Sequence, residues 1–161
     1  MPFWIPRLLA IACCLLALGC ASPPRQSSSS ASYPASPLSA EQSNGVAIHA
    51  LGLVGTPYRF GGNTPEGGFD CSGLIGYVYR HSAGQAMPRT VARLAGFGRP
   101  VAASDMRSGD LVLFGAATPS HAGIYVGNGQ FVHAPSTGGE VRLDRMDGVY
   151  WSRQPVQVRR L

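Results

Sequence analysis

Cys71 stands in the stretch "GGFDCSGLIGYVY" and is the one cysteine of the chain beyond residue 20. The other three, Cys13, Cys14 and Cys20, belong to an N-terminal apolar run. An odd cysteine in a secreted chain points to a reactive thiol or an intermolecular bridge. The apolar spacing after it predicts a helix from Cys71 to about Ser82, with Asp70 as N-cap. The partial positive charge of a helix start favours thiolate over thiol, so Cys71 is expected to ionise more readily than a free cysteine. Ser72 and Gly73 are small and would leave the sulfur approachable.

A nucleophilic thiol needs a base. Four histidines are available: His49, His81, His121 and His133. His49 and His81 fall in helical patterns and are expected at surface or capping positions. His121 opens "HAGIYVG" and His133 lies in "FVHAP", two adjacent β-rich runs. One ring could take the thiol proton while the other holds the first in its working tautomer. The competing chemistry is a zinc site made of Cys71, His121 and His133, for which no fourth ligand stands out.

These residues need elements to carry them. Val46, Ile48, Leu51 and Val54 have helical spacing, predicting a helix that ends near Gly55, before Pro57. "RFGGNTPEGGFD" reads as loop, and "PRTVARLAG" as a short helix. "DLVLF", "HAGIYVG", "QFVHA", "EVRLDR" and "VQVRRL" are strand-like runs between Gly-rich turns. Helices first and strands later make the class α+β, with N-terminal helices packed on an antiparallel β-sheet. The two histidines share a face only if the hairpin between them has odd parity. Three loop residues, Gly127-Asn128-Gly129, would achieve this, as would a β-bulge. One face then carries His121, Gly123, Tyr125, Phe131 and His133. The other carries Ala122, Ile124, Val126, Val132 and Ala134.

The chain has 161 residues, enough for one ordinary domain plus extensions. Arg7 precedes an apolar run over residues 8–18, too short to span a membrane and typical of a secretory signal. Gly19-Cys20 at its end resembles the lipobox of bacterial lipoproteins, although Ala17 stands where that motif usually has Leu. The resemblance implies a signal peptide over 1–19 and lipidation of Cys20, a membrane anchor. No Asp follows Cys20, so an outer-membrane site facing the periplasm is expected. Residues 20–42 are rich in Ser, Pro and Ala and read as a tether, which leaves 43–161 for the folded domain. The net charge is +5, all of the positive charge being Arg. Such a surface can meet an anionic polymer, but no basic helix or aromatic platform suits nucleic acid.

The ordered set "GTPYRFGGNTPEGGFDCSGLI", "PRT", "GDLVLF" and "SHAGIYVGNGQFVHAPSTGG" resembles the NlpC/P60 family of cysteine peptidases, and most nearly its lipoprotein branch, the Spr-like murein endopeptidases. The resemblance runs from about Val46 to Leu161. It implies a papain-like α+β fold with no metal and no organic cofactor. It implies Cys71 as nucleophile, His121 as general base and His133 as the orienting third residue. It further implies Tyr58, with the backbone of Cys71, at the oxyanion site, and Asp70 and Ser72 along the substrate groove. The expected substrate is an amide bond in peptidoglycan stem peptides or their cross-links. An inactive wall-binding module, or an acyltransferase or amidase using the same thiol, is the alternative.

Overall fold

The computed structural model describes residues 37–135 and 139–161. The expected signal segment, Cys20 and most of the expected tether lie outside the described residues. The first helix, α1 (Ala40–Gly52), opens with a capping box. The Ser39 hydroxyl accepts from the Gln42 N–H at 3.1 Å, and the Gln42 side chain accepts from the Ser39 N–H at 2.9 Å. Helix therefore begins within the stretch read as tether.

The buried face of α1 is Val46, Ala47 and Ala50, and not the larger aliphatics that the spacing singled out. Ile48 is 69% exposed, Leu51 41% and Val54 45%. The reason is the partner: α1 packs against the second helix, and small alanines let the two axes approach. The helix also stops at Gly52, short of Gly55, whose N–H turns away to the carbonyl of Val141 at 2.8 Å.

The segment read as loop contains a minimal hairpin, β1 (Asn63–Thr64) with β2 (Gly68–Phe69). Strands of two residues are too short to show alternation. Next comes α2 (Cys71–Ala83), which buries Leu74, Ile75, Val78 and Tyr79 and ends at Gly84 in the left-handed region, φ 65°. Thr90 caps the single turn α3 (Val91–Leu94).

The remaining strands are β3 (Arg99–Val101), β4 (Leu111–Phe114), β5 (His121–Gly127), β6 (Gln130–His133), β7 (Arg142–Arg145) and β8 (Val156–Arg160). They form one six-stranded antiparallel sheet in the order β3-β8-β4-β5-β6-β7. β3 was not foreseen: Pro100 and its exposed neighbours suit only an edge strand. Leu111, Leu113, Ala122, Ile124, Val132 and Ala134 face the helices and pack with Leu74, Ile75 and Val78. Val112, Phe114, Phe131 and Val158 form a smaller cluster against Trp151, on a 3-10 turn at Trp151–Arg153. The α+β architecture is the expected one.

The β5–β6 hairpin has the odd parity that the histidines require, reached through the bulge and not the three-residue loop. Ile124 pairs with Val132 and Tyr125 with Phe131, but Gly127 pairs with Gln130, so Val126 is the extra residue. The loop is the pair Asn128-Gly129, with φ 53° and 70°, as a type I′ turn needs.

Candidate active site

The site begins with the loop that delivers Cys71. Asp70 caps α2: its Oδ1 accepts from the Gly73 N–H at 2.6 Å and the Ser72 hydroxyl at 2.9 Å, and its Oδ2 accepts from the Gly61 N–H at 3.0 Å. Arg89 stands 3.7 Å from the same carboxylate. Ser72 is 5% exposed and its hydroxyl also reaches the carbonyl of Arg89 at 2.9 Å. Both side chains expected along the groove thus hold the turn before α2 together. Gly73 is small for a different reason than substrate access. A Cβ there would lie 1.9 Å from the carbonyl oxygen of Gly62, because the loop crosses directly over the helix start.

Cys71 is partly buried and makes no disulfide. The backbone N–H groups of Ser72, Ala122 and Cys71 itself favour its thiolate, as expected of a helix terminus. They are outweighed. Burial first, and the Asp70 carboxylate second, push the thiol above its ordinary pKa. The expectation of an easily ionised free thiol is corrected: the resting sulfur is protonated. The Ala122 N–H also fixes where the sulfur is, one residue along β5 from His121. Tyr58 forms a bridge with Phe69, two residues before Cys71. Its phenol is pushed up by burial and then by the charges of Cys71 and Asp70, which keeps it a hydrogen-bond donor within electrostatic reach of the thiol.

His121 Nε2 and His133 Nδ1 are 2.9 Å apart, with the rings nearly perpendicular at 85°. Gly123 sits between them, where a Cβ would lie 2.7 Å from the Phe131 ring and 3.2 Å from the Cβ of His133. His133 is fully buried, and its other nitrogen, Nε2, lies 3.1 Å from Asp144 Oδ2. Burial dominates both rings and holds each down to about pH 4 in pKa. The charge of Arg142 adds to the lowering, and Asp144 opposes it. In the free protein both rings are neutral at pH 7.

Asp144 and Trp151 were not singled out from the sequence. Asp144 Oδ2 also accepts from Trp151 Nε1 at 2.8 Å and from Arg142 at 2.7 and 3.1 Å. The indole stacks on His121 with centroids 5.3 Å apart and meets His133 edge-on at 5.1 Å. The available signal was the strand pattern of "EVRLDR", which sets Asp144 opposite Phe131 and diagonal to His133. His49 and His81 are structural: His49 Nδ1 bonds the Ser82 hydroxyl at 2.9 Å and His81 Nδ1 the carbonyl of Tyr77 at 2.8 Å. Among the described residues, no group of three or more His, Cys, Asp or Glu side chains is arranged to hold a metal ion. An open cavity of about 540 Å³ lies at the far sheet edge between Arg99, Arg107 and Arg160, away from this chemistry.

The NlpC/P60 family model matches residues 55–160. Murein DD-endopeptidase MepH of Escherichia coli K12 is 41% identical over 113 residues, covering 67% of this chain and 42% of the relative. Murein DD-endopeptidase MepS/Murein LD-carboxypeptidase of the same organism is 41% identical over 108 residues, covering 66% and 56%. The chain spans about half the length of the curated relatives it matches. The crystal structure of the NlpC/p60 domain of peptidoglycan hydrolase SagA superposes with TM-score 0.64 at 32% identity, over 72% of this chain and 97% of that one. An NlpC/P60 family protein from Bacillus cereus superposes with TM-score 0.68 at 24% identity, over 73% and 39%, a likeness of fold. The matched span runs from the loop before Tyr58 to the end of β8 and includes every side chain of the site just described: the chain belongs to the NlpC/P60 family.

Proposed function

We propose that the chain is a cysteine peptidase that hydrolyses an amide bond in peptidoglycan stem peptides or their cross-links. The observation that carries this is the buried His121–His133 contact at 2.9 Å on the strand whose Ala122 N–H meets the Cys71 sulfur. The Nε2 of His121 is occupied by His133, which leaves Nδ1 for the thiol. Thiol and imidazole start neutral. As the sulfur attacks the substrate carbonyl, its proton passes to His121 Nδ1 and a tetrahedral oxyanion forms. The Tyr58 hydroxyl and the Cys71 N–H would stabilise that charge. The imidazolium returns its proton to the leaving amine, the acyl-enzyme remains, and water activated by His121 releases the acid. His133 orients His121. Asp70 and Ser72 serve by fixing the turn that presents Cys71.

The DD-endopeptidase names of the relatives favour the cross-link bond over one within a single stem. We place the enzyme at the outer membrane, facing the periplasm, through a lipid on Cys20 with the Ser/Pro/Ala-rich stretch as tether. A tethered enzyme meets the wall at raised effective concentration. Purified chain incubated with sacculi should release new amine and carboxyl ends that mass spectrometry assigns to one bond. Cys71→Ala should release none while its far-UV spectrum is unchanged; undiminished release would end the thiol reading. Cys20→Ser should leave the membrane fraction and still cleave soluble muropeptides. Sedimentation of that variant with membranes would refute the anchor.

A further inference from the structure

We propose that Asp144, gripped by Arg142 and Trp151, is a positioning residue that fixes which nitrogens of the His121–His133 pair carry protons. The inference rests on the reading of His121 as the base that serves Cys71. A carboxylate can only accept. With Asp144 Oδ2 at 3.1 Å, His133 must therefore present a proton on Nε2. A neutral imidazole has one proton, so His133 Nδ1 is bare. That bare nitrogen faces His121 Nε2 at 2.9 Å, so the proton between the rings belongs to His121. His121 Nδ1 is then the free lone pair. The opposite arrangement would put a His133 lone pair against the carboxylate in a fully buried place, where no water could intervene. It would also leave His121 protonated on Nδ1, unable to take the proton of a thiol.

Asp144 cannot rotate out of this role, because Oδ2 is held from three sides. Arg142 donates from two nitrogens and Trp151 from its indole N–H at 2.8 Å. Trp151 also covers the His121 ring, so one side chain touches both ends of the relay. Among the described residues, the charged groups that act on the two rings are Arg142 and Asp144 from β7, besides the rings' own contact. Arg142 and Asp144 act with opposite sign on His121: the carboxylate favours its protonation and the guanidinium opposes it.

The test uses purified whole chain, two readouts and four variants. Imidazole 15N shifts report the tautomers without any turnover. They should show wild-type His133 protonated on Nε2 and His121 protonated on Nε2. Asp144→Ala should scramble this pattern and lower kcat on the order of 100-fold, with KM nearly unchanged. Asp144→Asn keeps an acceptor oxygen for Arg142, Trp151 and His133. It should keep the tautomers, lose about tenfold in kcat, and move the acid limb of the kcat/KM profile to lower pH. Arg142→Gln should move that limb to higher pH. Wild-type tautomers in Asp144→Ala, or limbs that move the same way in Asp144→Asn and Arg142→Gln, would overturn the proposal. A Cys71→Ala protein that cleaves like wild type would overturn the base reading instead, and the nitrogen shifts would still report on the relay.

Discussion

Gly73 and Gly76 lie one turn apart on α2, and the same substitution at each should change stability with opposite sign. Replacing a helical glycine by alanine gains about 0.5–1 kcal/mol from the unfolded chain's lost freedom. At Gly76 nothing opposes this gain. The new methyl would meet only the Arg89 side chain, at 3.9–4.0 Å, ordinary contact. At Gly73 the methyl would lie 1.9 Å from the Gly62 carbonyl oxygen and 2.8 Å from an Arg89 nitrogen. Arg89 can swing aside, but Gly62 cannot. Its carbonyl accepts from the Asp70 N–H at 3.1 Å, and its own N–H is bonded to the carbonyl of Arg59 at 2.9 Å. Forcing helix and loop apart costs about 3 kcal/mol at the upper end of overpacking. The net is a loss of about 2 kcal/mol for Gly73→Ala against a gain of about 0.5–1 for Gly76→Ala. The two melting temperatures should then differ by roughly 10 °C. Urea midpoints at unchanged m-value would give the same difference in free energy. Because the shifted loop carries Asp70 and Cys71, Gly73→Ala should also lose on the order of 100-fold in turnover. Equal stability of the two variants would show that the loop yields freely, and the account of why "FDCSG" needs its glycine would fail.

Asp70→Asn should speed alkylation of Cys71 at pH 7, since it removes the carboxylate that helps hold the thiol protonated; an unchanged rate would leave burial as the whole cause. Wild-type alkylation should still be rising above the range where a free thiol, with pKa about 8.5, has levelled off. Arg160→Met should destabilise by about 3 kcal/mol, because it strands Asp110, 3% exposed and bound by the guanidinium at 2.7 Å. Adding Asp110→Asn should recover part of that loss in chemical denaturation, and strict additivity would refute the coupling. Domain stability should fall as pH drops from about 6.5 to about 4. Here His121 and His133 have folded pKa values near 4, below the ordinary histidine value of 6.5, so the unfolded chain binds more protons across this window. Urea midpoints against pH should lose this slope in a His121→Gln, His133→Gln double variant.

Cys71, its N-cap Asp70, the two strand histidines and the α+β class were legible in the sequence because each depends on local pattern. A cap needs only the residues that follow it, and a strand needs only alternation. The parity of the β5–β6 hairpin was legible too, since burial of Ala122, Ile124 and Val132 demands it. The means was not: loop or bulge depends on where Val126 packs, and the fold chose the bulge. Tertiary structure alone decided the face of α1, because a helix that packs on another helix through alanines buries 46, 47 and 50 and leaves Ile48 outside. It also decided the state of the thiol. The helix terminus seen in the sequence favours thiolate, but burial, which depends on how the loop over residues 59–70 folds back, prevails with the charge of the neighbouring Asp70. Asp144 and Trp151 could be weighed only once three-dimensional pairing put β7 beside β6 and laid the 3-10 turn over His121, because neither is near a histidine in sequence.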